Sequence, residues 1–149
     1  MKNIVFILII LFGAIPTLKA DVKKWKLEQV GFLNIDRNEK DYGGFSGLLI
    51  KNAGTEALVV TDKSFFFVLE LRRDDNDFLT GYSVIKKGRI LSSKGEHLNG
   101  RNTDSESIAM DANNNYYISF ESNHRIMMHT EVEGKGIFVP KHPMFRKLS

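Results

Sequence analysis

The chain has 149 residues, of which 42% are apolar and 26% are charged, and it contains no cysteine. This length allows one domain of ordinary size, and the apolar share, which includes 11 Phe, is sufficient for a hydrophobic core. The lack of cysteine excludes disulfide bonds, thiolate metal sites, a cysteine nucleophile and a lipid anchor through cysteine.

The first 20 residues have the layout of a secretory signal peptide. Lys2 precedes an apolar run over residues 4–15, and the segment ends at the small residue Ala20 after a break at Pro16. The run is shorter than the roughly 20 apolar residues that a membrane-spanning helix needs. We therefore expect cleavage after Ala20, a periplasmic or secreted product, and no stable membrane anchor. An uncleaved anchor is the alternative.

Export also changes the charge balance. The full chain has 21 basic and 18 acidic residues, a net charge of +3, whereas loss of Lys2 and Lys19 leaves a net charge of +1. The remaining basic clusters at 23–26 and 86–89 are short and separated, so a solvated surface explains them better than a phosphate-tracking stripe does. We expect no nucleic-acid partner.

From residue 21 onward, short β-rich runs alternate with turn residues, and no stretch has sustained helical spacing of its apolar residues. Clusters of Gly, Asn and Asp at 52–54, 74–77 and 113–115 favour tight turns. The pattern predicts an all-β domain over residues 21–149. In chain order, the predicted strands are 27–33, 45–50, 57–61, 65–71, 82–85, 107–110, 116–120, 125–129 and 136–139.

Part of this pattern repeats at an offset of 60 residues. Residues 45–69 and 105–129 each contain a strand, a tight turn, a second strand that leads to a carboxylate, and a third strand, while 78–93 supplies a fourth, outer strand. Antiparallel four-stranded units that restart in this way are typical of β-propeller blades, although a plain antiparallel meander is the alternative. The expected buried positions are Leu48, Ile50, Val59, Phe67, Ile108, Met110, Ile118 and Ile126.

Both units resemble the esterase-like, phytase-like domain of exported bacterial proteins. In that family the first unit reads approximately Gly-Gly-Leu-Ser-Gly-Leu with a later Ser-Asp-Arg, and the second reads Asp-x-Glu-Gly-Ile-Ala with a later Ser-Glu. Residues 115–129 also resemble the NHL-type propeller repeat. The positions that match the phytase-like pattern are Ser46, Gly47, Asp62, Asp104, Glu106, Ile108, Ala109, Ser119 and Glu121, and those that depart from it are Phe45, Lys63 and Ser107.

The resemblance implies a propeller that is longer than this chain. We therefore expect the domain to be truncated at its C-terminus, with strand 27–33 left without the strands that would close the ring. Open sheet edges would then promote self-association. An incomplete channel would also allow little or no turnover.

Four carboxylates lie at or beside predicted strand ends: Asp62, Asp104, Glu106 and Glu121. In a propeller these ends meet at one mouth of the channel, where oxygen ligands would suit Ca²⁺. A cation held there could bind phosphate oxygens and activate water for phosphoester hydrolysis. The alternative is that each carboxylate is solvated or caps nearby backbone amides.

Two functional hypotheses follow. The first is an exported, metal-assisted phosphoesterase or esterase that acts on a small-molecule ester or phosphoester, with its catalytic residues unassigned. The second is a non-catalytic propeller scaffold, or a degenerate fragment, that binds a ligand or a protein partner. In a hydrolase elbow the nucleophile lies at a sharp turn between a strand and a helix. The sequence around Ser46 does not have this context, so we do not expect Ser46 to be a nucleophile.

Overall fold

The computed structural model describes residues 26–29, 31–35, 41, 43–141 and 143. The predicted signal peptide and its cleavage site lie outside these residues. Among the residues that are described, no helix has the length and apolar character needed to cross a membrane.

The described chain is all-β and forms two four-stranded antiparallel sheets, as the sequence predicts. Each sheet is a simple meander in which every strand pairs with the next one along the chain. We call them the first and second blade. The first contains β1 (Phe45–Lys51), β2 (Glu56–Thr61), β3 (Phe65–Arg73) and β4 (Leu79–Arg89), and the second contains β5 (Ser105–Met110), β6 (Tyr116–Phe120), β7 (Arg125–His129) and β8 (Ile137–Phe138).

The predicted strand at 27–33 is wrong for the residues that the structure describes there. Residues 26–29 and 31–33 carry no strand, and the Leu27 side chain is 98% exposed. The backbone at Gly31 instead packs closely against Leu79, and Ile35 packs on the face of the first blade that points away from the second. Within this segment Gly31 and Ile35 are therefore placed by packing against the first blade and not by a ladder of hydrogen bonds, whereas residues 26–29 are exposed.

The two blades share one backbone irregularity, which confirms the repeat. A register shift lies between Phe45 and Gly47 in β1 and between Ser105 and Ser107 in β5. The residues inside the two bulges, Ser46 and Glu106, are therefore structurally equivalent.

The main core lies between the blades. It combines Leu58, Val60 and Phe66 of the first blade with Ile108 and other apolar side chains of the second. Burial of such a side chain contributes about 1.5 to 3 kcal/mol, so this interface holds the blades together. At its centre β1 passes very close to β5, because a Cβ added to Gly47 would lie 2.9 Å from the Ile108 backbone nitrogen.

Of the positions predicted to be buried, Val59, Phe67, Ile108 and Ile118 are buried, and Met110 is half-buried. The prediction is wrong for three others, which lie on the outward faces of the two blades. Leu48 and Ile50 share a face with their partners Val59 and Ala57, and Ile126 pairs with Ser119 on the outward face of the second blade. The exposed fractions are 61% for Leu48, 49% for Ile50 and 42% for Ile126.

His129 is fully buried at the end of β7, and its protonation is coupled to folding. Its Nδ1 donates to the Gly134 carbonyl at 3.0 Å, whereas the buried Nε2 has no hydrogen-bond partner in the part of the chain that the structure describes. Burial lowers the pKa of His129 from its ordinary value of 6.5, against a smaller opposing effect of the Gly134 bond. The unfolded chain therefore binds a proton at a pH where the folded chain does not.

We predict that the free energy of unfolding falls as the pH is lowered from about 7.5 towards 5, through the window just below the unfolded pKa of His129. His129→Met removes the titrating group and should flatten this part of the profile, measured by urea unfolding at several pH values. His97→Gln, at an exposed position, should keep the slope of the parent protein. An identical slope in all three proteins would contradict the prediction.

Candidate metal centre

The antiparallel topology gathers the predicted site residues at one end of the two blades. Odd-numbered strands begin at this end and even-numbered strands finish there, so the residues that flank them become neighbours. We call this end the upper rim. It is formed by Gly44, Asp62, Asp104, Glu106 and Glu121.

Three of the four predicted carboxylates form a compact group. One carboxylate oxygen from each of Asp104, Glu106 and Glu121 lies within 4.8 Å of the others. Ca²⁺ binds oxygen at about 2.3 to 2.6 Å, so two ligands on opposite sides of the ion are separated by up to roughly 5 Å. The spacing of the three groups is therefore compatible with one shared cation.

The Asp104 carboxylate is held in place by the loop that follows β6. Its Oδ2 accepts a hydrogen bond from the Ser122 backbone nitrogen at 3.2 Å and another from the Ser122 hydroxyl. The Asp104 carbonyl also accepts a bond from the Glu121 nitrogen at 2.9 Å. The hydrogen bonds between Asp104 and residues 121–122 thus position two of the three carboxylates, those of Asp104 and Glu121. Sequence reasoning gave Ser122 no role.

Glu106 experiences the charges of the whole group. Partial loss of hydration raises the pKa of its carboxyl, and the charges of Asp104, Glu121 and Asp62 raise it further, in that order. Like charges that are brought together favour the protonated form of one of them. A bound cation would offset this repulsion.

Asp62 reaches the rim from the first blade. Its Oδ1 is buried and has no hydrogen-bond partner among the described residues. An unpaired buried carboxylate oxygen is costly, and a cation is a natural counter-charge for it. Asp62 is therefore a residue that could contribute to a cation site, although it is not part of the compact group of three.

Gly44 makes room for Asp62, a role that sequence reasoning missed. Its backbone has φ +65°, and a Cβ added there would lie 2.1 Å from the Asp62 Oδ1. The Gly44 carbonyl accepts a bond from the Asp62 nitrogen at 2.8 Å. The Gly-Gly pair at 43–44 was the only sequence signal for this contact.

Hydroxyl groups join the blades directly below the rim. The buried Ser105 hydroxyl donates to the Thr61 carbonyl at 2.5 Å, and the Ser46 hydroxyl donates to the Ser105 carbonyl at 2.5 Å. The Ser64 hydroxyl donates to the Thr103 carbonyl. The Ser46 hydroxyl thus helps to join the two blades.

Other acidic residues of the sequence are used locally. Asp74 accepts bonds from the Asn76 and Phe78 nitrogens at 3.0 and 2.9 Å, so it closes the turn between β3 and β4. This turn is at the opposite end of the first blade from the upper rim. Its carboxylates are not part of the site.

A protein-family model described as phytase-like, with the esterase-like activity of phytase, matches residues 40–142. The match covers 103 of the 149 residues and includes both blades and all four carboxylates. The comparisons with curated proteins and with solved structures gave no match.

We predict that Gly44→Ala destabilises the protein more than Gly100→Ala does. Both glycines have positive φ, +65° and +52°, so each substitution carries the strain of a left-handed residue, about 1 to 2 kcal/mol. Only at Gly44 does the new methyl group also collide with a carboxylate, since nothing lies within 4 Å of a Cβ at Gly100. Chemical unfolding of the two variants measures the difference. Equal losses of stability in the two variants would mean that the Asp62 carboxylate moves away from the new methyl group without cost.

Proposed function

The chain belongs to the phytase-like family, and we propose that it is an exported protein that hydrolyses an ester or phosphoester with the help of a bound cation. Family membership supports an esterase-like or phytase-like function in general. Export, the cation and the class of bond are the proposed parts. The substrate would be a small molecule.

The observation that carries the proposal is the carboxylate group at the upper rim. One oxygen from each of Asp104, Glu106 and Glu121 lies within 4.8 Å of the other two, and Asp62 adds a buried oxygen that has no hydrogen-bond partner among the residues the structure describes. An all-oxygen ligand set of this kind favours a hard cation, and Ca²⁺ is our choice because it accepts six to eight oxygen ligands in flexible geometry. Solvated carboxylates would leave the Asp62 oxygen unexplained.

A bound cation would polarise the ester or phosphoryl oxygen and lower the pKa of a coordinated water molecule. The protein contributes the arrangement of the ligands. Asp62 belongs to the first blade, and the other three carboxylates belong to the second. The Ser122 contacts fix the direction of Asp104.

We predict that Ca²⁺ raises the melting temperature of the purified protein. A ligand at 100 times its dissociation constant stabilises the native state by about 2.7 kcal/mol. Glu106→Gln should weaken the effect, because it removes one charged ligand. Glu70→Gln, at an exposed position on β3, is the matched control and should leave it unchanged. No shift in the parent protein would overturn the calcium proposal.

The pH dependence of calcium binding follows from the raised pKa of Glu106. Protons compete with the cation for this carboxylate, so the calcium affinity should decrease as the pH is lowered towards the pKa of Glu106, and it should decrease less in Glu106→Gln.

The enzymatic part has its own readout. Hydrolysis of p-nitrophenyl phosphate or p-nitrophenyl acetate should require Ca²⁺ and should stop when a chelator is added. Even a slow rate would support the proposal if it is lost in Glu106→Gln. Calcium binding without turnover of either compound would instead support the scaffold hypothesis.

For export, we predict a mature N-terminus at Asp21. The proposal is supported by the short apolar run and the small residue Ala20. Mass spectrometry of the periplasmic and secreted fractions of the producing cells identifies the first residue. An intact Met1 in the membrane fraction would show that the segment is an anchor.

A further inference from the structure

A largely apolar pocket lies on the second blade, beside the turn between β6 and β7. Its volume is about 370 Å³, within the range of about 300 to 1,000 Å³ that is usual for small-molecule sites. Ser119 and Ile126, which pair on the outward face of the blade, contribute to its wall. Val139 and Pro140 also line it, and the Val139 nitrogen donates to the Ile126 carbonyl at 3.0 Å, which holds this segment beside β7. We call this cavity the β7 pocket. Its surface suits the apolar part of a ligand.

The ionisable residues that line the β7 pocket are all basic. They are His124, Arg125 and Lys141, and none of the described residues around the pocket is acidic. Two other cavities in the described part of the chain also contain basic side chains, but both of them include the carboxylate of Glu133. The β7 pocket therefore combines an apolar wall with unbalanced positive charge, which favours an anionic ligand.

The charge of Arg125 has no counter-ion among the residues that the structure describes. Arg125 takes part in none of their ion pairs. Its guanidinium carbon lies 3.7 Å from the centroid of the Phe120 ring, and its nitrogens donate to the carbonyls of Asn123 and Asn102 at 3.0 and 2.5 Å. Partial burial removes water from the guanidinium and lowers the pKa of Arg125 from its ordinary value. A cation that is partly dehydrated and unpaired is stabilised by a nearby anion.

We propose that the β7 pocket binds a small amphipathic carboxylate from solution, with the apolar chain on Ile126, Val139 and Pro140 and the carboxylate group beside Arg125. A guanidinium has five N–H groups and can hold a carboxylate through two parallel hydrogen bonds. The two carbonyl bonds of Arg125 leave three of these groups for a ligand. None of the rim carboxylates lines the pocket, so this site does not depend on a cation at the upper rim.

The test is a calorimetric titration of the purified protein with octanoate. A chelator is present throughout, so that the result is independent of any metal ion. Octanol has the same chain without the charge, and acetate has the charge without the chain. Octanoate should bind more tightly than either compound, because only octanoate supplies both of the groups that the pocket is suited to bind.

The role of the charge is tested with Arg125→Gln. This substitution should weaken octanoate binding by about tenfold or more, as for the loss of a hydrogen bond to a charged group, and should leave octanol binding nearly unchanged. Arg89→Gln is the matched control, because Arg89 also lies over an aromatic ring, that of Phe65 at 4.4 Å, but in the first blade. It should bind octanoate as the parent protein does.

The position of the site is tested with Ile126→Glu, which also keeps the proposal testable if Arg125→Gln does not fold. Ile126 is 42% exposed, so the substitution should be compatible with folding, and the new negative charge should abolish octanoate binding. Ile137→Glu is the matched control. Ile137 is 54% exposed on the same face of the blade, but it does not line the β7 pocket, so its substitution should leave octanoate binding intact.

The proposal is overturned if the parent protein binds octanoate no better than octanol or acetate. Equal binding of octanoate by Ile126→Glu and Ile137→Glu would also overturn it, because the ligand would then lie elsewhere. Analytical ultracentrifugation checks a different occupant. A parent dimer that dissociates in Ile126→Glu and binds no octanoate would show that a second copy of the chain covers the pocket, against the proposal.

Discussion

The close approach of β1 and β5 at Gly47 is the constraint on which the rest of the structure depends. A side chain at this position would meet the backbone of Ile108, so only glycine lets the two inner strands come together. The hydroxyls of Ser46 and Ser105 then bond to carbonyls across the interface. Because Asp62 belongs to one blade and the other three carboxylates to the next, this contact sets the geometry of the candidate site.

The interface changes character along its length. Below the rim the interface is an apolar core that stabilises the fold, whereas at the rim it brings together carboxylates that repel each other. The raised pKa of Glu106 and the unpaired oxygen of Asp62 both record an unfavourable local environment. Groups of this kind are concentrated at functional sites, where a ligand compensates the cost. The apolar core supplies the stability that makes such a rim tolerable.

The sequence predicted the strands of the two blades and the proximity of three of the four carboxylates, Asp104, Glu106 and Glu121, because both depend on local rules. The alternation of apolar and polar residues, together with the turn residues, defines the strands. In an antiparallel meander, Asp62 and Glu121, which follow the ends of β2 and β6, then lie at the same end of the two blades. The sequence did not predict burial and packing that depend on neighbouring elements. Alternation shows that Leu48 and Ile50 share a face but not whether that face is covered. The space that Gly44 provides for Asp62 is likewise visible only in three dimensions.

The repeat also explains how one backbone feature supports two roles. Ser46 and Glu106 occupy the same bulge in the two blades, yet Ser46 bonds across the interface whereas Glu106 joins the carboxylates. Gly47 and Ser107 follow them at equivalent positions. Gly47 must be glycine because a Cβ there would lie 2.9 Å from the Ile108 nitrogen and 3.1 Å from the Ser107 carbonyl carbon, whereas Ser107 itself is an exposed residue. The departure of Ser107 from the family pattern is thus accommodated at an exposed position of β5, whereas the equivalent position in β1 has no room for a side chain.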